Sequence, residues 1–204
     1  MSISNIEAII DEARKGKAFL LVDNEGRENE WDIVFPAYFC TPEKINFMSK
    51  NGRGLICISV TEQRANELWL DPMCQENQDQ FHTAFTISVD AREWTSTWIS
   101  AFDRDTTVKK IVSKEAKKTD FISPWHMFPL VAKNWWVLKR AGHTEASIEI
   151  CKLAGLYPSW VICEVLNEDG TMARLPDLID FSKKFWLKIG TIDDLIEYKK
   201  NKSL

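Results

Sequence analysis

Glycine is scarce in this chain, with eight in 204 residues where about 7% is usual. None of them builds a Gly-rich nucleotide fingerprint, which counts against a doubly wound dinucleotide fold. No apolar run approaches the roughly 18 residues that a membrane span requires. Residues Met1–Asn5 carry neither the basic nor the apolar region of a signal peptide. The five cysteines, Cys40, Cys57, Cys74, Cys151 and Cys163, form no CxxC pair, so neither a zinc site nor a disulfide framework is expected. A net charge of -4 with no basic stripe argues against a nucleic-acid partner. No internal repeat, linker or low-complexity segment interrupts the chain. The expectation is one domain over residues 1–204, in a cytoplasmic protein with no membrane contact.

What the chain does have is a 45% hydrophobic content, enough for a sizeable core. A capping box at Ser4–Glu7 starts a helix whose apolar face is Ile6, Ile9, Ile10 and Ala13, ending near Gly16. Strands are expected at Ala18–Asp23, Asp32–Phe39, Gly54–Val60, Thr83–Asp90 and Trp160–Leu166, with a last short one at Leu187–Ile189. Helices are expected from Thr41-Pro42 to Gly52, at Thr61–Leu68, Asp103–Lys117 and Thr144–Leu153, from Leu175 to Phe185, and at Ile192–Lys199. Cys74–His82 reads as a mobile loop. Phe121–Val137 reads as irregular, with Pro124 and Pro129 bracketing His126. Strands and helices interleave without a strict βαβ rhythm, so the fold class is α+β: a single domain with a mixed β-sheet and surrounding helices.

Chemistry concentrates in Asp23–Asp32. Five carboxylates (Asp23, Glu25, Glu28, Glu30, Asp32) and Arg27 fall within ten residues, between two apolar strands. Like charges held at the edge of a core favour a divalent cation among them; the alternative is a solvated acidic loop. A second constellation, Arg140–Glu145, stands at a helix start, where free N–H groups with Arg140 and Thr144 make a phosphate cradle. His143 in the same place is a metal ligand or a packed capping residue. Glu164 interrupts an apolar strand, and must be paired (to Arg174, for instance), metal-linked or kept neutral.

The stretches Arg27–Asp32, Thr41–Met48, Gly52–Cys57, Thr83–Asp90, Arg140–Glu145 and Asn167–Arg174 resemble the 3,4-dihydroxy-2-butanone 4-phosphate synthase family, and the resemblance covers essentially the whole chain. It implies conversion of D-ribulose 5-phosphate to 3,4-dihydroxy-2-butanone 4-phosphate and formate in riboflavin biosynthesis. It also implies a divalent ion, Mg²⁺ or Mn²⁺, and a homodimer with shared active sites. Carried over residue by residue, Glu28 and His143 hold metal, and His126, Glu164 and Asp32 are catalytic. Substrate falls to Arg27, Glu28, Asp32, Arg140, Ala141, Gly142, His143, Thr144 and Glu164. Cys57 lies near that region but reads equally well as a small core residue. No segment follows Leu204 to supply the GTP cyclohydrolase II domain sometimes fused to this family, so the monofunctional form is expected.

The resemblance fails at tryptophan. The chain has nine Trp and three Tyr. Family members carry glycine, often or normally, at the positions of Trp31, Trp94, Trp98, Trp125, Trp135, Trp136, Trp160 and Trp186, and Trp69 belongs with them. Eight glycines and nine tryptophans together make 17 of 204 positions, about 8%, close to the usual share. The expectation is a misread translation in which UGA, meaning glycine, is rendered as tryptophan. If the tryptophans are genuine, the alternative is a non-catalytic dimeric homologue with a filled pocket. A metal-dependent phosphatase is a third reading, distinguished by releasing inorganic phosphate rather than formate.

Overall fold

The computed structural model describes residues 3–133 and 137–202; Trp135 and Trp136 lie outside the described residues. Helix α1 (Ile6–Arg14) starts at Asn5, whose side chain accepts from Ala8 N at 2.9 Å. The Ser4 box is therefore not used: asparagine is as good a cap as serine, and starting one residue later still turns Ile6, Ile9, Ile10 and Ala13 inward. Strands β1 (Phe19–Val22) and β2 (Trp31–Pro36) form an antiparallel hairpin around the acidic loop. They are followed by α2 (Pro42–Phe47), continued by a wide turn to Gly52, then β3 (Cys57–Thr61) and α3 (Glu62–Leu68). Next come β4 (Val89–Ala91), α4 (Ala101–Val112), β5 (Phe121–Ala132), α5 (His143–Ala154) and β6 (Trp160–Glu164). The chain closes with α6 (Leu175–Phe185), β7 (Ile189–Thr191) and α7 (Ile192–Lys202).

The strands make one mixed sheet in the order β4-β5-β3-β6-β2-β1-β7. Pairs β1/β7 and β3/β5 are parallel, and the rest are antiparallel. Successive residues alternate between two cores. Leu20, Val22, Ile33, Phe35, Ile58 and Val60 join Ile45, Ile111 and Leu178 of α2, α4 and α6 on one face. Phe19, Leu21, Val34, Cys57 and Ile162 join Ile9, Ile150 and Leu195 of α1, α5 and α7 on the other. Both faces being covered, β1 and β2 are buried at every position, which is why they read as unbroken apolar runs rather than alternating ones. The α+β class with a mixed sheet stands.

The expected helix Asp103–Lys117 is shorter and earlier, at Ala101–Val112, and two segments change their type. Thr83–Asp90 is not a continuous strand: it holds the isolated bridges Thr86–Pro72 and Phe85–Leu130 before β4 begins at Val89. The segment from Phe121, expected to be irregular, is the longest strand of the sheet through Ala132. Proline misled there. Pro129 turns its carbonyl toward Thr86 N (3.0 Å), on the side where β4 has ended, so its missing N–H costs the ladder nothing.

Candidate active site

The site grows from the register of β2 on its neighbours. Asp32 stands opposite Leu21 of β1 and opposite Glu164 of β6, so two carboxylates lie side by side on adjacent strands, both lining one cleft. Glu164 Oε2 accepts from Leu55 N at 2.8 Å, a backbone bond that answers the question its sequence position raises. Arg174 turns instead to the carbonyl of Asn29. Gly54 lets this happen: a Cβ there would stand 2.4 Å from Glu164 Oε2 and 2.7 Å from its carbonyl oxygen. Asp32 Oδ1 is buried with no hydrogen-bond partner, a condition that native structures commonly answer with a water or an ion.

Asp23 closes the acidic loop. Its carboxylate accepts from Arg27 Nη1 (2.7 Å), Glu28 N (3.2 Å) and Glu30 N (2.8 Å). That turn brings the Arg27 guanidinium onto Glu28 in a two-bonded pair at 2.7 and 3.0 Å. Opposite stands His143 in the first turn of α5. Its Nε2 donates to the Leu21 carbonyl at 3.1 Å, while Nδ1 lies 3.9 Å from Asp32 Oδ2. A carbonyl only accepts, so the ring proton sits on Nε2 and the Nδ1 lone pair faces the acids. Ligand atoms of Asp23, Glu28 and His143 all lie within 4.8 Å of one another. A hard divalent cation fits this set: oxygen donors, one neutral imidazole fixed through its other nitrogen, and an unanswered buried carboxylate oxygen beside them.

Electrostatics agrees. Burial, then Glu164 and the loop acids, raises the Asp32 carboxyl well above its ordinary range. Burial followed by Glu28 and Glu164 lifts Glu30 to about 7, and burial raises Glu164. Burial also lowers His143 to about 4, against the pull of Asp23, which keeps it neutral and able to ligate. The Cys57 thiol, likewise, is pushed up by burial and then by Glu164 and Asp32; it is a protonated core residue.

The cradle expected at Arg140–Thr144 is present, and its arginine is anchored on three sides. Arg140 donates to Glu145 Oε2 (2.6 Å), the Phe81 carbonyl (2.8 Å) and Thr83 Oγ1 (2.8 Å). Gly142 caps α5, and a Cβ on it would meet Arg140 Nη1 at 2.3 Å and Arg27 Nη2 at 3.0 Å, so glycine is what allows both arginines over the helix start. Ala141 packs against the second core. Together Arg27, Glu28, Glu30, Asp32, Arg140, His143, Thr144 and Glu164 line a cleft of about 200 Å³, with Asp79 and Thr83 also in its lining. A larger groove, about 820 Å³, adjoins it beneath residues 72–86, but its lining is mostly apolar and gathers no comparable set of acids.

His126 is the exception. It lies on β5 and is not among the residues lining this cleft. Its Nδ1 donates to Asp90 Oδ2 at 2.7 Å, and the fully buried Asp90 also accepts from the backbone N of His126 and Met127, each at 3.2 Å. Nε2 is therefore the ring nitrogen turned away from Asp90, on a side chain one-third exposed. Sequence reading gave Asp23 and Glu30 only a collective role among the acids that favour a cation, and gave Asp90 none. The first two were visible as members of the acidic run. Asp90 carried one signal, a carboxylate closing an apolar stretch, as at Glu164.

Comparison with known proteins points one way. The profile described as 3,4-dihydroxy-2-butanone 4-phosphate synthase matches residues 7–198. The chain is 50% identical over 199 residues to a 3,4-dihydroxy-2-butanone 4-phosphate synthase of Wolinella succinogenes, covering 98% of this chain and 57% of that protein. It is 52% identical over 198 residues to the riboflavin biosynthesis protein RibBA of Aquifex aeolicus, covering 96% and 49%. The chain thus spans about half the length of these curated relatives. Among solved structures, a 3,4-dihydroxy-2-butanone 4-phosphate synthase in complex with two magnesium ions superposes with TM-score 0.92 at 35% identity, covering 98% of this chain and 99% of that one. The synthase of Candida albicans gives 0.88 at 40% identity, covering 97% and 98%.

Proposed function

The chain belongs to the 3,4-dihydroxy-2-butanone 4-phosphate synthase family, and from that premise we propose that it is itself such a lyase, converting D-ribulose 5-phosphate to 3,4-dihydroxy-2-butanone 4-phosphate and formate. The reaction is balanced without an oxidant or a second substrate: five carbons become four plus one, and the water lost in one step returns in another. What carries the reading is the side-by-side pair Asp32 and Glu164, Asp32 keeping one buried oxygen unpartnered and its other oxygen 3.9 Å from His143 Nδ1, in a cleft that Glu28 also lines.

The residues divide the work. Arg140, Gly142 and Thr144 at the start of α5 receive the phosphate, and Arg27 stands between that end and the acids. Asp32 and Glu164, both raised by burial, do not ionise together readily, so one holds a proton while the other accepts one. Such a pair suits enolisation and dehydration at carbons next to carbonyl and hydroxyl groups. Glu28 and His143, with Asp23 behind them, would hold Mg²⁺. When bound, that ion polarises the substrate's oxygens and stabilises negative charge developing on them.

His126 takes part from a second copy of the chain: in a homodimer with shared sites, its outward Nε2 reaches the cleft of the neighbouring subunit. This reading is supported by a histidine oriented by Asp90 yet set apart from its own chain's cleft. The test is Mg²⁺-dependent release of formate from D-ribulose 5-phosphate by the purified chain and by its nine-glycine version. Formate from either supports the synthase. Inorganic phosphate without formate, or no product from both, would overturn it.

A further inference from the structure

Three helices end in the same way. After α5, Gly155 turns left-handed (φ 73°, ψ 27°), its N–H donates to the carbonyls of Cys151 and Lys152, and the next residue, Leu156, donates to Cys151. After α3 the same turn is made by Trp69 (φ 56°, ψ 45°), with bonds to Ala65 and Asn66, and Leu70 donates to Ala65. After α6 it is made by Trp186 (φ 57°, ψ 35°), whose N–H donates to Ser182, and Leu187 donates to Ser182. This left-handed stop with an apolar residue after it is the place where helices take glycine, because a Cβ is strained there. One of the three has it. The other two have the largest side chain of all.

The pattern extends beyond helix ends. Trp94 (φ 66°) and Trp98 (φ 65°) are also left-handed. Four of the seven described tryptophans therefore occupy this region, against three residues, Asn29, Arg53 and His82, among all other described non-glycine positions. For a bulky residue such a backbone is a true outlier. Nor does packing repay it. Trp69, Trp94 and Trp186 are 65%, 85% and 81% exposed, and the buried Nε1 of Trp98 has no hydrogen-bond partner, although a buried indole usually finds one. The ring contacts that two of them make, Lys118 Nζ at 4.7 Å from the Trp69 ring and an edge-on Trp98–Trp125 pair at 5.8 Å, lie beyond the turns themselves and are not what holds them.

We infer that positions 69, 94, 98 and 186 are glycine positions, and that the polypeptide made in its source cell carries glycine there and, by the same codon, at all nine tryptophan positions. The codon that unites them is UGA, translated as glycine by that cell and rendered as tryptophan under a genetic code that is not its own. The consequence reaches the site: Trp31, between Glu30 and Asp32, and Trp125, whose ring stands 5.1 Å from that of His126, would both be glycine in the working protein.

Neither of the deciding measurements depends on catalysis, so the inference and the proposed reaction fail separately. The first is the gene and the native peptide. UGA at all four left-handed positions, with peptides from the source cells weighing as glycine, is the expected result; UGG at any one of them, or a tryptophan mass there, overturns it. The second is thermal melting of the tryptophan-bearing chain against the variant W69G/W94G/W98G/W186G. Relief of four strained turns should raise Tm by on the order of ten degrees. An unchanged or lower Tm means the turns do not want glycine and sinks the physical argument.

Discussion

The acidic cleft and the His126 face are built on opposite plans. In the cleft, carboxylates crowd together with too few donors: Asp32 keeps an unpartnered oxygen, and three acids are pushed toward neutrality. On the His126 face the one buried acid, Asp90, is answered three times over by backbone and ring N–H groups. The first arrangement is costly and stays so until something positive or polar enters. The second is complete by itself: Asp90 holds the backbone of His126 and Met127 and fixes the imidazole. Crowded acids leave room for a positive ligand, whereas a satisfied pair asks for none, and on the proposed reading it holds its imidazole ready for a second copy.

The largest effect should come from breaking the crowded side. Glu164→Gln keeps the shape and the Leu55 bond but removes a proton acceptor, so formate release should fall about 10²–10⁴-fold, the usual worth of a positioned acid or base. Retention of more than a tenth of the rate would take Glu164 out of the chemistry. His126→Ala should fall by a similar order although it lies outside the cleft. Mixing the two dead variants then sharpens the contrast. Random reassembly of a shared-site dimer restores one intact site in each mixed pair, on the order of a quarter of wild-type activity. If each chain worked alone, the mixture would stay inactive.

A smaller loss is expected at Asp90→Asn. An amide in that place still holds the backbone of His126 but offers its ring nitrogen the wrong partner or none. Positioning partners of this kind are worth about 10–100-fold. The loss should appear in kcat rather than KM, with a shift in the pH profile, while Tm and the oligomeric state stay near wild type. A collapse of Tm would instead mark Asp90 as a purely structural residue.

How far these two regions were legible in the sequence follows from the same contrast. The cleft announced itself, because five acids in ten residues and a carboxylate within an apolar strand are both rare and local. Asp32 and Glu164 are 132 positions apart, and only strand register sets them opposite each other. The same register hid the His126 face. Pro124 and Pro129 broke the apparent strand, so the pairing of β4 with β5 that carries Asp90 to His126 had no local trace. Asp23 was counted among the acids, but its work, holding the backbone of Glu28 and Glu30, depends on a turn geometry that composition does not encode. The helix stops were legible at Gly155 and invisible at Trp69 and Trp186, where the residue contradicts the turn it makes.

The least of the expected effects, on stability, tests the crowding itself. Burial and the neighbouring acids lift Glu30 from its ordinary 4.5 to about 7. The folded chain therefore holds this proton more tightly than the unfolded chain, and stability falls as pH rises from about 4.5 to about 7. His143 acts with the opposite sign. Lowered from 6.5 to about 4, it leaves stability whole above its unfolded value and takes it away as pH falls through that window. The two slopes oppose each other in wild type, so the variant is the cleaner probe. Glu30→Gln removes only the first slope. In chelator, its Tm relative to wild type should be higher at pH 8 than at pH 5, and added Mg²⁺ should narrow the gap by answering the charges that Glu30 repels. An equal difference at both pH values would mean that Glu30 is not held out of ionisation by its neighbours, and the cleft would be less starved of positive charge than its geometry says.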